Sequence, residues 1–172
     1  AVVNSSLITP VFKKGDPADT ANYRPIAVGE PIARLYANIL NARLVKFTED
    51  NNMRAPSQAG FRPGLSTVHQ LLTLQHFIDK GGTQEPLYCC FLDLKSAYDM
   101  VSRPALWEVL QRLGVHGQML AAIQSLYTDS DVAVKVEGRC GERVTSSTGV
   151  KQGCPLSPTL FGLFVDGLHH YL

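Results

Sequence analysis

Apolar residues recur along this chain with two different periods, and the switches between them divide it into elements. Val2 to Phe12 is mainly apolar and leans towards β structure, and the turn-rich Lys13-Lys14-Gly15-Asp16-Pro17 ends it, predicting a strand with a basic tip. Pro31 then opens a long amphipathic helix in which Ile32, Leu35, Tyr36, Ile39, Leu40, Leu44 and Phe47 recur at helical spacing to about Asn51. Arg34, Asn38 and Asn41 fall on its other faces. Ser66 or Thr67 caps a second helix with Val68, Leu71, Leu72, Gln75 and Ile78 as its expected buried stripe, and Gly81-Gly82 stops it.

The apolar run Leu87-Tyr88-Cys89-Cys90-Phe91-Leu92 predicts a buried strand with Asp93 at its tip. Ser102 and Pro104 start a helix carrying Leu106, Val109, Leu110 and Leu113 on one side, closed by Gly114, and another helix follows from about Gly117 to Thr128. Val132, Val134 and Val136 alternate with Ala133, Lys135 and Glu137, and a turn from Gly138 to Gly141 returns the chain through Arg143 to Ser147 as a hairpin. A last helix begins at Ser157-Pro158. The order of helices, strand, helices, hairpin and helix implies an α+β fold without the regular alternation of a doubly wound sheet.

Composition adds bounds rather than an activity. With 172 residues, 45% hydrophobic, the chain can bury a proper core and is no disordered tail. The net charge of +1 is too even to announce nucleic acid, but eight Lys/Arg face five Asp/Glu between Lys13 and Arg62, while acid exceeds base elsewhere. Cys89, Cys90, Cys140 and Cys154 show neither metal spacing nor a disulfide framework and read as reduced thiols, the first two buried with their strand. No stretch is long and apolar enough to span a membrane, and the chain is expected to be intracellular. Starting at Ala1 and stopping at Leu172 within an apolar helical pattern, it is expected to be a piece of something longer.

The candidate chemistry lies in a few short segments. A carboxylate at a strand end is how a metal ligand for phosphoryl transfer is held, since that reaction asks the protein mainly to position reactants and neutralise charge. Magnesium takes hard oxygens, so Asp93 and the Leu94 carbonyl suit it, although a lone Asp at a strand end also reads as a cap or salt-bridge partner. Tyr98 offers a flat ring that would exclude a 2'-hydroxyl, or a packed half-buried ring. Asp99 leans towards a structural pairing with Lys95, Arg103 or a backbone amide. In Gly149-Val150-Lys151-Gln152-Gly153-Cys154-Pro155 the glycines permit close approach to a ligand, and Gln152 supplies a donor and an acceptor. Asn22-Tyr23-Arg24-Pro25 and Gly60-Phe61-Arg62 each set an arginine beside an aromatic, suited to phosphate or bases, and Arg34 is a third.

In series, these segments resemble a reverse transcriptase, most closely the LINE-type, non-LTR retrotransposon class. The similar segments are Lys13-Lys14-Gly15 with Asn22-Tyr23-Arg24-Pro25-Ile26, then Gln58 to Thr67, then Phe91 to Asp99, then Gln152 to Pro158, in the expected order across almost the whole chain. The resemblance implies a right-hand polymerase, with residues 1–80 as fingers and 81–172 as an incomplete palm of helices on a small, mostly antiparallel sheet. It implies that Asp93 is catalytic and binds Mg2+ with Leu94, two ions in the complete enzyme. Ser96, Ala97, Tyr98, Gln152, Gly153, Arg34 and Arg62 would bind nucleotide, with Tyr98 as the sugar gate, and Lys13, Lys14 and Arg24 would meet template or primer. The implied partners are an RNA template, a DNA primer, deoxynucleoside triphosphates and the rest of the same polyprotein, in the nucleus by likeness. The family's aromatic-Ala-Asp-Asp block, which supplies further metal ligands, has no counterpart, since no Asp-Asp pair occurs here. The segment alone is therefore expected to be inert. A non-catalytic RNA-binding remnant and a group II intron-type enzyme stand as alternatives, and a hydrolase using Cys154 is the weakest.

Overall fold

The computed structural model describes residues 4–81 and 87–170. Ser6–Phe12 forms β1 and Tyr23–Gly29 forms β2, joined by a loop with a 3-10 turn at Thr20–Asn22. The helices are α1 (Pro31–Asp50), α2 (Thr67–Gly81), α3 (Arg103–Arg112), α4 (Gly117–Ser125) and α5 (Ser157–Val165). Between α4 and α5 run β3 (Asp131–Val136), β4 (Arg139–Cys140) and β5 (Val144–Thr145). Expected boundaries for α1, α3 and α5 hold to within a residue or two, because Pro31, Pro104 and Pro158 sit in their first turns and the Ser102 hydroxyl accepts from the Ala105 amide. Val2 at the start of the expected first strand and Gly82 in the expected helix stop lie outside the described residues.

The five strands form one mixed sheet in the order β2-β1-β3-β4, with β5 also on β3. Only the β1–β3 pair is parallel, over Ser6–Ile8 against Val132–Val134. The strand β2 was not foreseen. It pairs along all of β1 with Pro10 opposite Pro25, and two residues without N–H groups fit there because β2 is an edge strand and the β1–β3 ladder ends at Ile8. The sheet thus crosses the expected boundary near residue 80, and so does the core. One apolar cluster takes Ala37, Leu40 and Leu44 from α1, Leu106 and Leu110 from α3, Leu120 and Ile123 from α4, and Leu156, Leu160 and Leu163 from α5.

Three expectations about burial fail. In α1 the buried face is Ala37, Leu40, Leu44 and Thr48, whereas Ile32, Leu35, Tyr36 and Ile39 are exposed. Small residues let α1 come close to its neighbours, and the Thr48 hydroxyl donates back to the Leu44 carbonyl at 3.0 Å, so a polar residue sits in the core without an unmet group. In α2 no residue is buried, and Val68, Leu71, Leu72 and Ile78 all face outward. Leu87 to Leu92 forms no strand. Tyr88 is 89% and Phe91 82% exposed, and Cys89 and Cys90 are exposed as well. A β-prone run becomes a strand only beside a ladder partner, and no described strand runs alongside this one.

Candidate functional site

Asp93 is exposed on a segment without regular structure rather than on a strand end. It opens a tight turn in which Ser96, at φ 50°, accepts from the amides of Asp99 (3.0 Å) and Met100 (3.1 Å). A serine in the left-handed region costs about 1 kcal/mol relative to extended backbone, so the two bonds around its carbonyl are what hold it there.

This turn is fixed from behind by the 149–153 loop. Gly149 donates to the Val101 carbonyl and Val150 to the Tyr98 carbonyl, both at 2.9 Å. A Cβ on Gly149 would lie 2.9 Å from Asp99 Cα and from the Tyr98 oxygen, so only glycine permits the contact. At the other end of the loop the Ala27 amide donates to the Gln152 carbonyl at 2.6 Å, and a Cβ on Gly153 would meet the Ala27 oxygen at 2.6 Å. The glycines expected to admit a ligand instead admit backbone: one seats the loop on the acidic turn, the other on β2.

The result is a cleft of about 1050 Å³ that gathers residues from four distant parts of the chain. Ile8 and Pro10 of β1 and Val134 and Val136 of β3 contribute its apolar lining. Lys13, Arg24, the segment Asp93 to Asp99 and Gln152 line the same cleft. The Tyr98 ring packs against Phe161 at 4.9 Å between centroids and near Phe61 at 6.4 Å, which fixes its plane. Half-burial raises the Tyr98 phenol above its ordinary pKa, so it stays neutral at physiological pH.

Not every expected residue reaches this cleft. Arg62 is fully engaged elsewhere: its Nε and Nη2 donate to the Glu49 carboxylate at 3.0 and 2.7 Å, and its Nη1 to the Ala55 and Gln58 carbonyls. It clamps the loop after α1 and does not line the cleft. Arg34 and Gly153 line a separate small cavity behind the loop with Lys151 and Cys154. That cavity is about 30 Å³, and among the described residues no histidine lines it, so it lends the Cys154 hydrolase reading no support. Lys14 is exposed but does not line the cleft. Asp99 lines it and makes no ion pair among the described residues, and Arg103, one of the three partners considered for it, turns to carbonyls instead. Sequence reasoning missed Arg103, because a buried arginine without an acid partner leaves no pattern in the chain.

Among the described residues no three His, Cys, Asp or Glu side chains group to hold a metal. Asp93, Asp99 and the Leu94 carbonyl are hard oxygen donors of the kind magnesium takes, so the cleft fits a divalent ion in kind and supplies part of a ligand set. All four cysteines are free thiols. No helix among the described residues is long and apolar enough to cross a membrane.

The chain is 33% identical over 162 residues to a retrovirus-related Pol polyprotein from the type-1 retrotransposable element R2 of Popillia japonica, covering 93% of the chain and 22% of that protein. It is 26% identical over 163 residues to a probable RNA-directed DNA polymerase from transposon BS of Drosophila melanogaster, covering 94% of the chain and 18% of that protein. It is also 26% identical over 166 residues to the RNA-directed DNA polymerase from mobile element jockey of the same species, covering 95% and 18%. The chain thus spans about a fifth of the length of these relatives, which are polymerases of non-LTR retrotransposons. The family model described as reverse transcriptase (RNA-dependent DNA polymerase) matches residues 11–172, and with the cleft assembled as above, the chain belongs to the reverse transcriptase family.

Proposed function

We propose that this segment forms the nucleotide-facing and template-facing part of an RNA-directed DNA polymerase that adds deoxynucleotides to a primer 3'-hydroxyl. The observation that carries the reading is the convergence of Lys13, Arg24, Asp93, Tyr98 and Gln152 on one cleft, although well over a hundred residues separate the first from the last. Reverse transcriptases generally use a divalent metal. Here Asp93 and the Leu94 carbonyl would hold Mg2+, and the ion would neutralise charge on the transferring phosphoryl group. Ser96 and Ala97 offer the turn to the triphosphate. The Tyr98 ring, held in place by Phe161, would exclude a ribose 2'-hydroxyl, and the Gln152 amide would meet the base or sugar. Lys13 and Arg24 meet the phosphates of template or primer, where each neutralised phosphate adds affinity that salt removes.

The test is primer extension by the full-length polymerase on an RNA template. Asp93→Ala should abolish extension while template binding remains, and Tyr98→Ala should admit ribonucleotides. Full extension by the first variant would refute the assignment of Asp93, and unchanged sugar selectivity in the second would refute the gate. A second reading, RNA binding without catalysis by this segment alone, draws support from the incomplete ligand set among the described residues. Affinity for RNA that falls steeply with salt and does not need magnesium would favour it.

A further inference from the structure

Five hydrogen bonds converge on one buried cation in this chain. The Arg103 guanidinium, in a residue 8% exposed, donates to the carbonyls of Gly149 (3.0 Å), Tyr127 (3.3 Å), Ser146 (2.5 Å) and Thr148 (3.1 Å) and to the Ser146 hydroxyl (3.0 Å). It also lies over the Tyr127 ring, 5.1 Å from the centroid. It forms no ion pair among the described residues, so its charge is met by carbonyl dipoles and a ring face. A fork of five N–H groups suits this, because the strand β5 ends at Thr145 and the irregular chain after it has no ladder to take its carbonyls. Lys151 sits over the same ring at 5.7 Å and donates to the Asn4 and Leu126 carbonyls. Two cations thus pin the chain on either side of Val150, and Gln152 follows at once, with its carbonyl bound by the Ala27 amide.

We propose that Arg103 is a positioning residue for nucleotide binding: by holding residues 146–149 it fixes where the Gln152 side chain enters the cleft. Arg103 does not line that cleft, so it touches no substrate and acts through the loop. The inference rests on the proposed role of Gln152 at the nucleotide. Lysine keeps the charge but cannot reach five acceptors at once, so Arg103→Lys relaxes the loop without emptying the core of its cation. Ser146→Ala is milder, removing one acceptor of Arg103 and the hydroxyl that donates to the Thr148 carbonyl.

The experiment is steady-state primer extension by the full-length polymerase, with template–primer affinity measured separately. Arg103→Lys should raise the deoxynucleotide KM about tenfold with kcat changed less than about threefold, and Ser146→Ala should raise it about twofold to threefold. Gln152→Ala should raise KM by about tenfold too, and the double variant Arg103→Lys/Gln152→Ala should show about tenfold rather than about a hundredfold, because both changes remove one interaction. Losses that multiply in the double variant, or an Arg103→Lys enzyme with unchanged KM, would overturn the proposal. Should Arg103→Lys fail to fold, Ser146→Ala decides: an unchanged KM there overturns it equally. A Gln152→Ala enzyme with wild-type KM would instead refute the nucleotide role of Gln152, a distinguishable failure of the reading beneath.

Discussion

The replacement Gly149→Ala tests the junction that places Tyr98 and the acidic turn. Gly149 and Gly64 have nearly the same positive φ, 77° and 75°, but differ in surroundings. A Cβ on Gly149 would meet Asp99 Cα and the Tyr98 oxygen at 2.9 Å and the Asp99 oxygen at 3.0 Å, whereas a Cβ on Gly64 would meet nothing within 4 Å. Alanine in the left-handed region costs about 1 kcal/mol at either position. At Gly149 the loop must also move off rigid backbone, straining the Gly149–Val101 and Val150–Tyr98 hydrogen bonds. Each is worth about 1 kcal/mol net, so Gly149→Ala should destabilise by about 2–4 kcal/mol and Gly64→Ala by about 1. Urea unfolding reads the difference through Trp107, the one tryptophan, which packs edge-on to Tyr127 at 5.7 Å in the same core. Equal destabilisation by the two variants would show that the loop does not rest on the Tyr98–Asp99 backbone, and the description of the cleft floor would fall with it.

Other consequences are open to simple measurement. Hydrogen bonding from Arg62 holds the Glu49 carboxyl below its ordinary pKa, so its contribution to stability is present above the unfolded carboxyl pKa and lost as pH falls through the depressed folded value. The stability gap between the native protein and Glu49→Gln should therefore shrink as pH falls from 7 into the acid range below that of ordinary glutamates, and a pH-independent gap would contradict the clamp. Gly162→Ala would press a methyl to 2.6 Å from Nη2 of Arg54, whose side chain is 1% exposed and 3.7 Å from Asp166, so thermal melting should show a loss of about 2 kcal/mol; no loss would mean that the guanidinium has room to move. Lys13→Gln and Arg24→Gln, made separately in the full-length polymerase, should each lower the slope of log affinity for RNA against log salt by about one. Unchanged slopes would remove these residues from the nucleic-acid path.

The helices were legible because their punctuation is local. Pro31, Ser102 with Pro104, Gly114 and Pro158 mark starts and stops whatever the rest of the chain does. Which helix face is buried was less legible, since burial depends on neighbours: the apolar face of α2 and the Ile32, Leu35, Tyr36 and Ile39 face of α1 stay exposed. The same holds for Leu87 to Leu92, whose β-prone sequence has no ladder partner among the described residues, and for β2, whose Pro25 suits a strand only at an edge position. At the site, side chains of distinctive chemistry were found from the sequence, and Asp93, Tyr98, Gln152, Lys13 and Arg24 do share a cleft. Arginines were not sortable. Arg62 is held by a glutamate 13 residues away and Arg103 by carbonyls more than 20 residues away, relations that no spacing rule encodes.

A ligand exchange at position 93 probes the central claim most directly. In the full-length polymerase, Asp93→Cys replaces a hard oxygen ligand by a soft sulfur one, which magnesium binds poorly and manganese or cadmium bind better. Primer extension should vanish in magnesium and return at least tenfold above that background in the softer ions, with no such rescue for Asp93→Ala in the same ions. Full activity of Asp93→Cys in magnesium, or equal silence of both variants in every ion, would contradict a metal held at Asp93.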